Sequence, residues 1–276
     1  MRTPRNKKKS HSSKPTMASQ ADKHKLYEAS VQCVESEIDF VDDTFKKLRR
    51  RRARRLREDF CGTANTSCEW VRRRATNTAT AVDMDTEVQQ WGRDHHIAKL
   101  TPKQQKRIQL VQADVMKVKT EPVDVVLAMN FSYWIFQERA QMIRYFRRVY
   151  ESLVADGIFF LDLFGGYEAF EELKEESEIE NFTYVWHQAM YNPITGAAQC
   201  RIHFKFQDGS QLKNAFIYDW RLWTFPELTE ILTEAGYRAT AYWEGTTEDG
   251  EGDGVFTATT QGEADAGWVA YLVGEK

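Results

Sequence analysis

The chain has 276 residues, of which 42% are hydrophobic and 29% charged, with a formal net charge of -3; that is enough apolar material to bury the core of one elaborated domain. Its longest apolar stretches, residues 123–129 and 157–164, fall far short of the roughly 20 residues a membrane-spanning helix needs. The N-terminus lacks the apolar core of a secretory signal, and Cys33, Cys61, Cys68 and Cys200 form neither a CxxC pair nor a dense disulfide framework. A soluble chain in a reducing, cytoplasmic compartment is the expectation.

Charge is unevenly placed, since residues 1–57 carry 17 Lys/Arg against 7 Asp/Glu. Residues 1–20 are polar, basic and without apolar periodicity, and read as a disordered basic tail. The spacing of Leu26, Val31, Val34 and Ile38 predicts a helix over 26–40. Nine of the twelve residues from Lys46 to Arg57 are basic; this run reads as a solvated helix face and strand entry, with a nucleic-acid contact as the alternative. Short apolar strands at 56–60, 78–84, 107–113, 123–129 and 157–163 then alternate with helices at 65–73, 87–98 and 138–154. That rhythm predicts an α/β fold, a mainly parallel, Rossmann-like sheet with helices on both faces. The core is expected to occupy residues 21–164.

Beyond residue 165 the acidic segment 167–180 has helical composition. Three aromatic-rich stretches follow, at 182–191, 198–206 and 211–219, separated by Asn192-Pro193-Ile194-Thr195-Gly196 and Gln207-Asp208-Gly209-Ser210. They predict an antiparallel cap inserted after the fifth strand, over residues 165–224. A helix at 226–235 ended by Gly236, and strands at 237–243 and 268–274, complete the core over residues 225–276. Between them 244–267 is expected to be mostly loop, with 255–259 able to pair as a short strand.

Chemistry concentrates first at Glu58-Asp59-Phe60-Cys61-Gly62-Thr63-Ala64, a strand end and a tight turn leading into a helix. In open α/β sheets ligands lie outside the carboxyl ends of the strands, near the point where strand order reverses. Asp83, 21 residues after Gly62 at the end of the second strand, is placed to accept from both hydroxyls of a ribose. Glu58 and Asp59 are neighbours on one strand, so they face opposite sides and only one reaches the pocket. A nicotinamide dinucleotide is disfavoured, because its pyrophosphate requires close backbone approach at three glycines and this turn supplies only Gly62.

These segments, in this order, resemble the motifs of class I S-adenosylmethionine-dependent methyltransferases, particularly small-molecule N-methyltransferases with an antiparallel cap sheet. Glu58-x-x-Cys61-Gly62-Thr63 resembles their first motif, with Phe60 and Ala64 replacing the outer glycines. Asp83 and the adjacent Met84 match the ribose-binding position, and Asp114-Val115 the turn that holds adenine. The segment from Asp124 to Asn130, with Phe131, resembles the fourth-strand motif beside the methyl group, and residues 154–159 the turn before the fifth strand. The resemblance covers about residues 55–165. It implies S-adenosylmethionine as cofactor, bound by Glu58, Phe60, Cys61, Gly62, Thr63, Asp83, Met84, Asp114, Val115, Asn130 and Phe131.

Methyl transfer is a direct displacement, so alignment, desolvation and an environment that tolerates a cation are what an enzyme must supply. Tyr133, His187 and Tyr191 are the candidate catalytic side chains, and Trp134, Tyr218 and Trp220, with Arg201 and Arg221 for an anionic group, the candidate acceptor contacts. Most cap aromatics also serve ordinary sheet packing. No zinc or iron pattern is present. The expected partner is a small polar methyl acceptor, an amine first of all; neither a membrane nor a nucleic acid is expected, and a homodimer is compatible with the sequence. The rivals are an RNA methyltransferase using the basic first fifth and Arg72-Arg73-Arg74, and a non-catalytic cofactor-binding protein.

Overall fold

A computed structural model describes residues 14–247, 249 and 252–276. Residues 1–13 of the expected basic tail lie outside the described residues. Met17–Gln20 (α1), also expected in the tail, instead forms a helical turn capped by Thr16. Its backbone donates from Met17 to Asp208 Oδ2 at 2.8 Å and from Ala18 to Ser210 Oγ at 3.0 Å, which seats it on the cap.

The single helix expected over 26–40 is two: Lys23–Val31 (α2), capped by Asp22, and Val34–Arg49 (α3). Non-helical backbone at Gln32, which is extended, and at Cys33 separates them, so the apolar period continues across a break that composition does not mark. Along α3, Ile38, Val41 and Phe45 are completely buried, an i, i+3, i+7 stripe laid against the sheet.

The alternating part follows in chain order as Arg55–Asp59 (β1), Asn65–Arg73 (α4), Thr78–Asp83 (β2), Thr86–His95 (α5), Pro102–Gln105 (α6), Ile108–Gln112 (β3), Val123–Ala128 (β4), Arg139–Ser152 (α7) and Leu153–Gly165 (β5). The segment expected to be helical over 167–180 is a 3-10 turn, Tyr167–Phe170, and a strand, Leu173–Ile179 (β6). Glutamates give it helical composition, but pairing along its whole length with Phe182–Tyr191 (β7) outweighs local propensity. Ala197–Phe206 (β8) and Gln211–Arg221 (β9) complete a four-stranded antiparallel cap in the order β6-β7-β8-β9. Phe225–Ala235 (α8) begins with a Thr224/Glu227 capping box and ends at Gly236 with φ 108°. Arg238–Thr246 (β10), Gly252–Thr259 (β11) and Trp268–Glu275 (β12) close the chain; the stretch expected as loop thus contains a full strand, paired with β10.

The main sheet runs β11-β10-β12-β5-β4-β1-β2-β3. β1 to β5 are parallel to one another, and β12 is antiparallel to β5. Chain order reverses between β1 and β4, which opens a crevice at the carboxyl ends of those strands. Side chains alternate, so Leu56, Val125, Ile158 and Phe160 pack under α3 and α4, while Val126, Phe159 and Leu161 pack under α7 and α8. Among the described residues no helix is long and apolar enough to cross a membrane.

Candidate functional site

Two strained loops flank the reversal point. After β1, Phe60, Gly62 and Ala64 have φ of 57°, 50° and 58°; after β4, Asn130 and Phe131 both have φ of 56°. Left-handed backbone at Phe, Ala and Asn costs energy and persists only where surrounding bonds impose it. In the first loop the Gly62 N–H donates to Asp83 Oδ2 at 2.8 Å, and in the second Asn130 and Phe131 donate to Asp162 Oδ2 and Oδ1 at 2.7 and 2.9 Å. Space over Gly62 is open, since a Cβ built there meets nothing within 4 Å.

Alternation separates the two acids of β1. Asp59 faces α7, where it pairs with buried Arg57 at 2.9 Å and accepts from Tyr145 Oη at 2.8 Å. Asp59, not Glu58, thus makes the ion pair with Arg57 of the arginine run. Glu58 faces α4 and accepts from the Ser67 N–H at 2.9 Å and the Ser67 hydroxyl, capping a helix whose own N-cap, Ala64, has no side-chain acceptor. Burial pushes the Glu58 carboxyl up to about 7.

Two further carboxylates stand on the same face. Asp162 of β5 is pushed up to about 7 by burial, against the pull of its two backbone donors. Glu37, in the first turn of α3, is pushed up to about 8, first by burial and then by the charges of Asp162 and Glu58. Its Oε2 is buried and has no hydrogen-bond partner.

The N-terminal helices form a wall of the crevice. Glu28 of α2 accepts from Thr63 Oγ1 at 2.6 Å and lies 2.6 Å from His96 Nε2. Asp22 accepts from Trp91 Nε1 at 2.8 Å, and on the cap side the Tyr27 ring lies 4.9 Å from Phe216 with its hydroxyl bonded to that of Tyr218. Thus α2 bridges the first loop, α5 and the cap. Sequence periodicity marked this region as helical but missed Tyr27, Glu28 and Glu37; a carboxylate with one buried, unpartnered oxygen is visible only in three dimensions.

Of the residues expected to hold a cofactor, Glu58, Phe60, Cys61, Gly62, Thr63 and Asp83 gather around the first loop, and Asn130 and Phe131 stand across the crevice. Met84 is 67% exposed beyond Asp83. Asp114 lies two residues beyond β3, accepting from the Met116 N–H at 2.8 Å and pairing with Lys117 at 3.1 Å, with Val115 buried beside it. Cys61 is buried and its thiol is pushed well up by burial, which suits packing and not nucleophilic attack.

The expected acceptor contacts divide. The inner face of the cap carries Tyr184, Trp186, Gln188, Cys200, Tyr218 and Trp220, which share one side by register. Tyr218 stacks on Trp220 at 4.4 Å, and Tyr191 packs on Phe170 at 5.3 Å. His187 and Arg201 pair with each other on the opposite, outer face. His187 Nδ1 there lies 3.1 Å from His203 Nε2, and Arg201 bonds Gln199, so strand alternation removes both from the crevice. Arg221 is tied to Glu227 at 2.8 Å and lies over Trp223. Tyr133 and Trp134 are completely buried, and Tyr133 Oη donates to the Asp162 carbonyl at 2.8 Å. They support the second loop from beneath, and burial denies them the acceptor contact expected of them.

No protein-family model and no curated sequence matches the chain. Solved structures do. A S-adenosylmethionine-dependent methyltransferase from Clostridium acetobutylicum has 13% identity and a TM-score of 0.69, covering 91% of this chain and 96% of that one. An amino pentose methyltransferase from Micromonospora echinaspora, solved with the cofactor bound, has 14% identity and a TM-score of 0.65, covering 91% and 95%. A sugar N-methyltransferase from Streptoalloteichus has 18% identity and a TM-score of 0.62, covering 93% of each chain. The chain has the class I methyltransferase fold with a cap sheet.

Proposed function

We propose that this chain is an S-adenosylmethionine-dependent methyltransferase that acts on a small polar metabolite, an amine. The observation that carries the reading is the convergence at one crevice of an open glycine turn, the Asp83 carboxylate and a set of buried acids facing an aromatic cap. The residues present fit the cofactor. Asp83 would hold the ribose hydroxyls, Asp114 and Val115 the adenine, and the 60–64 turn with the Asn130–Phe131 backbone the methionine part. Buried Glu37, with an orphaned oxygen, suits a neighbouring positive charge.

When bound, S-adenosylmethionine would supply a sulfonium methyl group for transfer to the lone pair of a neutral acceptor, the electron pair of the broken C–S bond remaining on sulfur. The chain's own residues align, desolvate and tolerate charge. Asp162 fixes the second loop through two backbone bonds, Phe131 and the cap aromatics exclude water, and the acids stabilise positive charge in a low-dielectric setting.

The RNA reading loses support from the arginines that motivated it. Arg49, Arg51 and Arg57 of the run, and Arg73 and Arg74, are in ion pairs with carboxylates. The run itself leads into β1 from its amino end, opposite the crevice. Calorimetry with S-adenosylhomocysteine, followed by tritium transfer from the labelled cofactor to amines and to bulk RNA, tests the proposal. Binding with transfer to an amine is expected; transfer to RNA alone makes the acceptor assignment wrong, and no binding by folded protein makes the enzyme assignment wrong.

A further inference from the structure

A cavity of 500 Å³ lies between the end of β5, the start of β12 and the inner face of the cap. Among the described residues its ionisable lining is Glu168, Glu175, Glu244 and Tyr184, with no Lys, Arg or His. Glu244 accepts from the Gly254 N–H at 2.8 Å. Glu168 and Glu175 have no basic partner among the described residues. Phe131, Phe164, Tyr184, Trp186 and Trp268 supply the aromatic wall.

Carboxyl groups continue from this cavity toward the crevice. Burial pushes the Tyr271 phenol upward, and Glu37, Asp162 and Glu244 nearby add to the push; Glu37 Oε2 is buried without a partner. Val31, the last residue of α2, itself lines the cavity. The two cations that sequence offers for an anionic acceptor, Arg201 and Arg221, are respectively on the outer cap face and engaged with Glu227. A phosphate or carboxylate entering here would meet like charge and no donor cation. An ammonium would meet carboxylates and ring faces.

We propose that the methyl acceptor is a compact amine, free of phosphate and carboxylate groups, selected as its ammonium form by Glu168, Glu175 and the aromatic wall of this cavity and methylated as the neutral amine once its proton has passed to water. The proposal rests on the methyl-transfer reading of the same site. It separates this chain from an enzyme whose amine is carried on a nucleotide, since the cavity has nothing to hold the diphosphate.

The test uses three probes of one shape and different charge: cyclohexylamine, cyclohexanol and cyclohexanecarboxylate. Each is titrated into the protein saturated with S-adenosylhomocysteine, with and without E168Q/E175Q. The expected result is at least tenfold tighter binding of the amine than of either analogue, shrinking to threefold or less in the double variant while S-adenosylhomocysteine affinity and melting temperature stay unchanged. Absent or equal binding of the amine, tighter binding of the carboxylate, or a preference that survives the double substitution overturns the acceptor assignment. Failure of S-adenosylhomocysteine itself to bind overturns instead the methyl-transfer reading beneath it.

Discussion

Asp83 holds two backbone donors at once, Gly62 at 2.8 Å and Asp85 at 2.9 Å, so it both shapes the first turn and offers its remaining lone pairs to a ribose. Asp83→Ala should weaken S-adenosylhomocysteine binding by about 1.5–3 kcal/mol, or about ten- to a hundredfold, by calorimetry; unchanged affinity would remove it from the site. Asp114→Ala, whose carboxylate is partly spent on its own turn, should cost only about 1 kcal/mol. The buried acids give a pH signature. Glu37, Glu58 and Asp162 hold protons in the folded chain up to about 8, 7 and 7, whereas the unfolded chain releases them near the ordinary carboxylate values of about 4. Between those limits the folded state binds more protons, so this contribution to stability is full at low pH and is lost as pH rises through 7 and 8. The ligand-free melting temperature should therefore fall between pH 5 and pH 8, and Glu37→Gln, which cannot ionise, should flatten the fall; a melting curve that rises with pH in both proteins would contradict this.

Contacts between elements decide whether the first loop can take its shape. A Cβ on Gly92 of α5 would lie 2.2 Å from the Thr63 carbonyl oxygen, a backbone atom that cannot swing aside. Gly92→Ala should therefore displace the loop, destabilising the fold by about 1–3 kcal/mol and reducing cofactor affinity along with it; a melting temperature equal to wild type would show that α5 yields freely. On the other side, α1 makes two bonds to the cap, one exposed and one part-buried, and α2 makes the part-buried contacts to Thr63 and His96. Deletion through Gln20 should lower the melting temperature by a few degrees and leave S-adenosylhomocysteine affinity intact. Deletion through Gln32 should weaken that affinity at least tenfold. Elements that carry their own signal were legible in the sequence: the five parallel strands, the last helix with its stop at Gly236, and the turns of the cap. Strand β6 was not, because Leu173-Lys174-Glu175-Glu176-Ser177-Glu178-Ile179 prefers helix in isolation and becomes a strand only against β7. The same limit applies to the site. Asp83 and the Gly62 turn announce themselves by spacing, whereas the role of Glu37 depends on how α3 meets β5, and the exclusion of His187 depends on which face of the cap turns inward.

Across the whole molecule, charge is sorted along the strand direction. Arg51, Arg52, Arg54 and Arg55 surround a depression with Thr76, Thr78 and Asp124 at the amino ends of β1, β2 and β4, while Glu168, Glu175 and Glu244 belong to the opposite end, where Glu37 and Asp162 add charge only as pH rises through about 8 and 7. Such an arrangement is a dipole with its negative pole at the crevice, and it acts before any contact is made. A cationic cofactor and a cationic acceptor would both be drawn toward the mouth, and an anion of equal size turned away. The signature is kinetic. Raising salt from about 0.01 M to about 0.15 M shortens the screening length from about 30 Å to about 8 Å, so the association rate of S-adenosylmethionine, followed by stopped-flow quenching of the site tryptophans, should fall while its dissociation rate barely changes. An association rate independent of salt would mean that the sorted arginines serve only to neutralise the buried acids beside them.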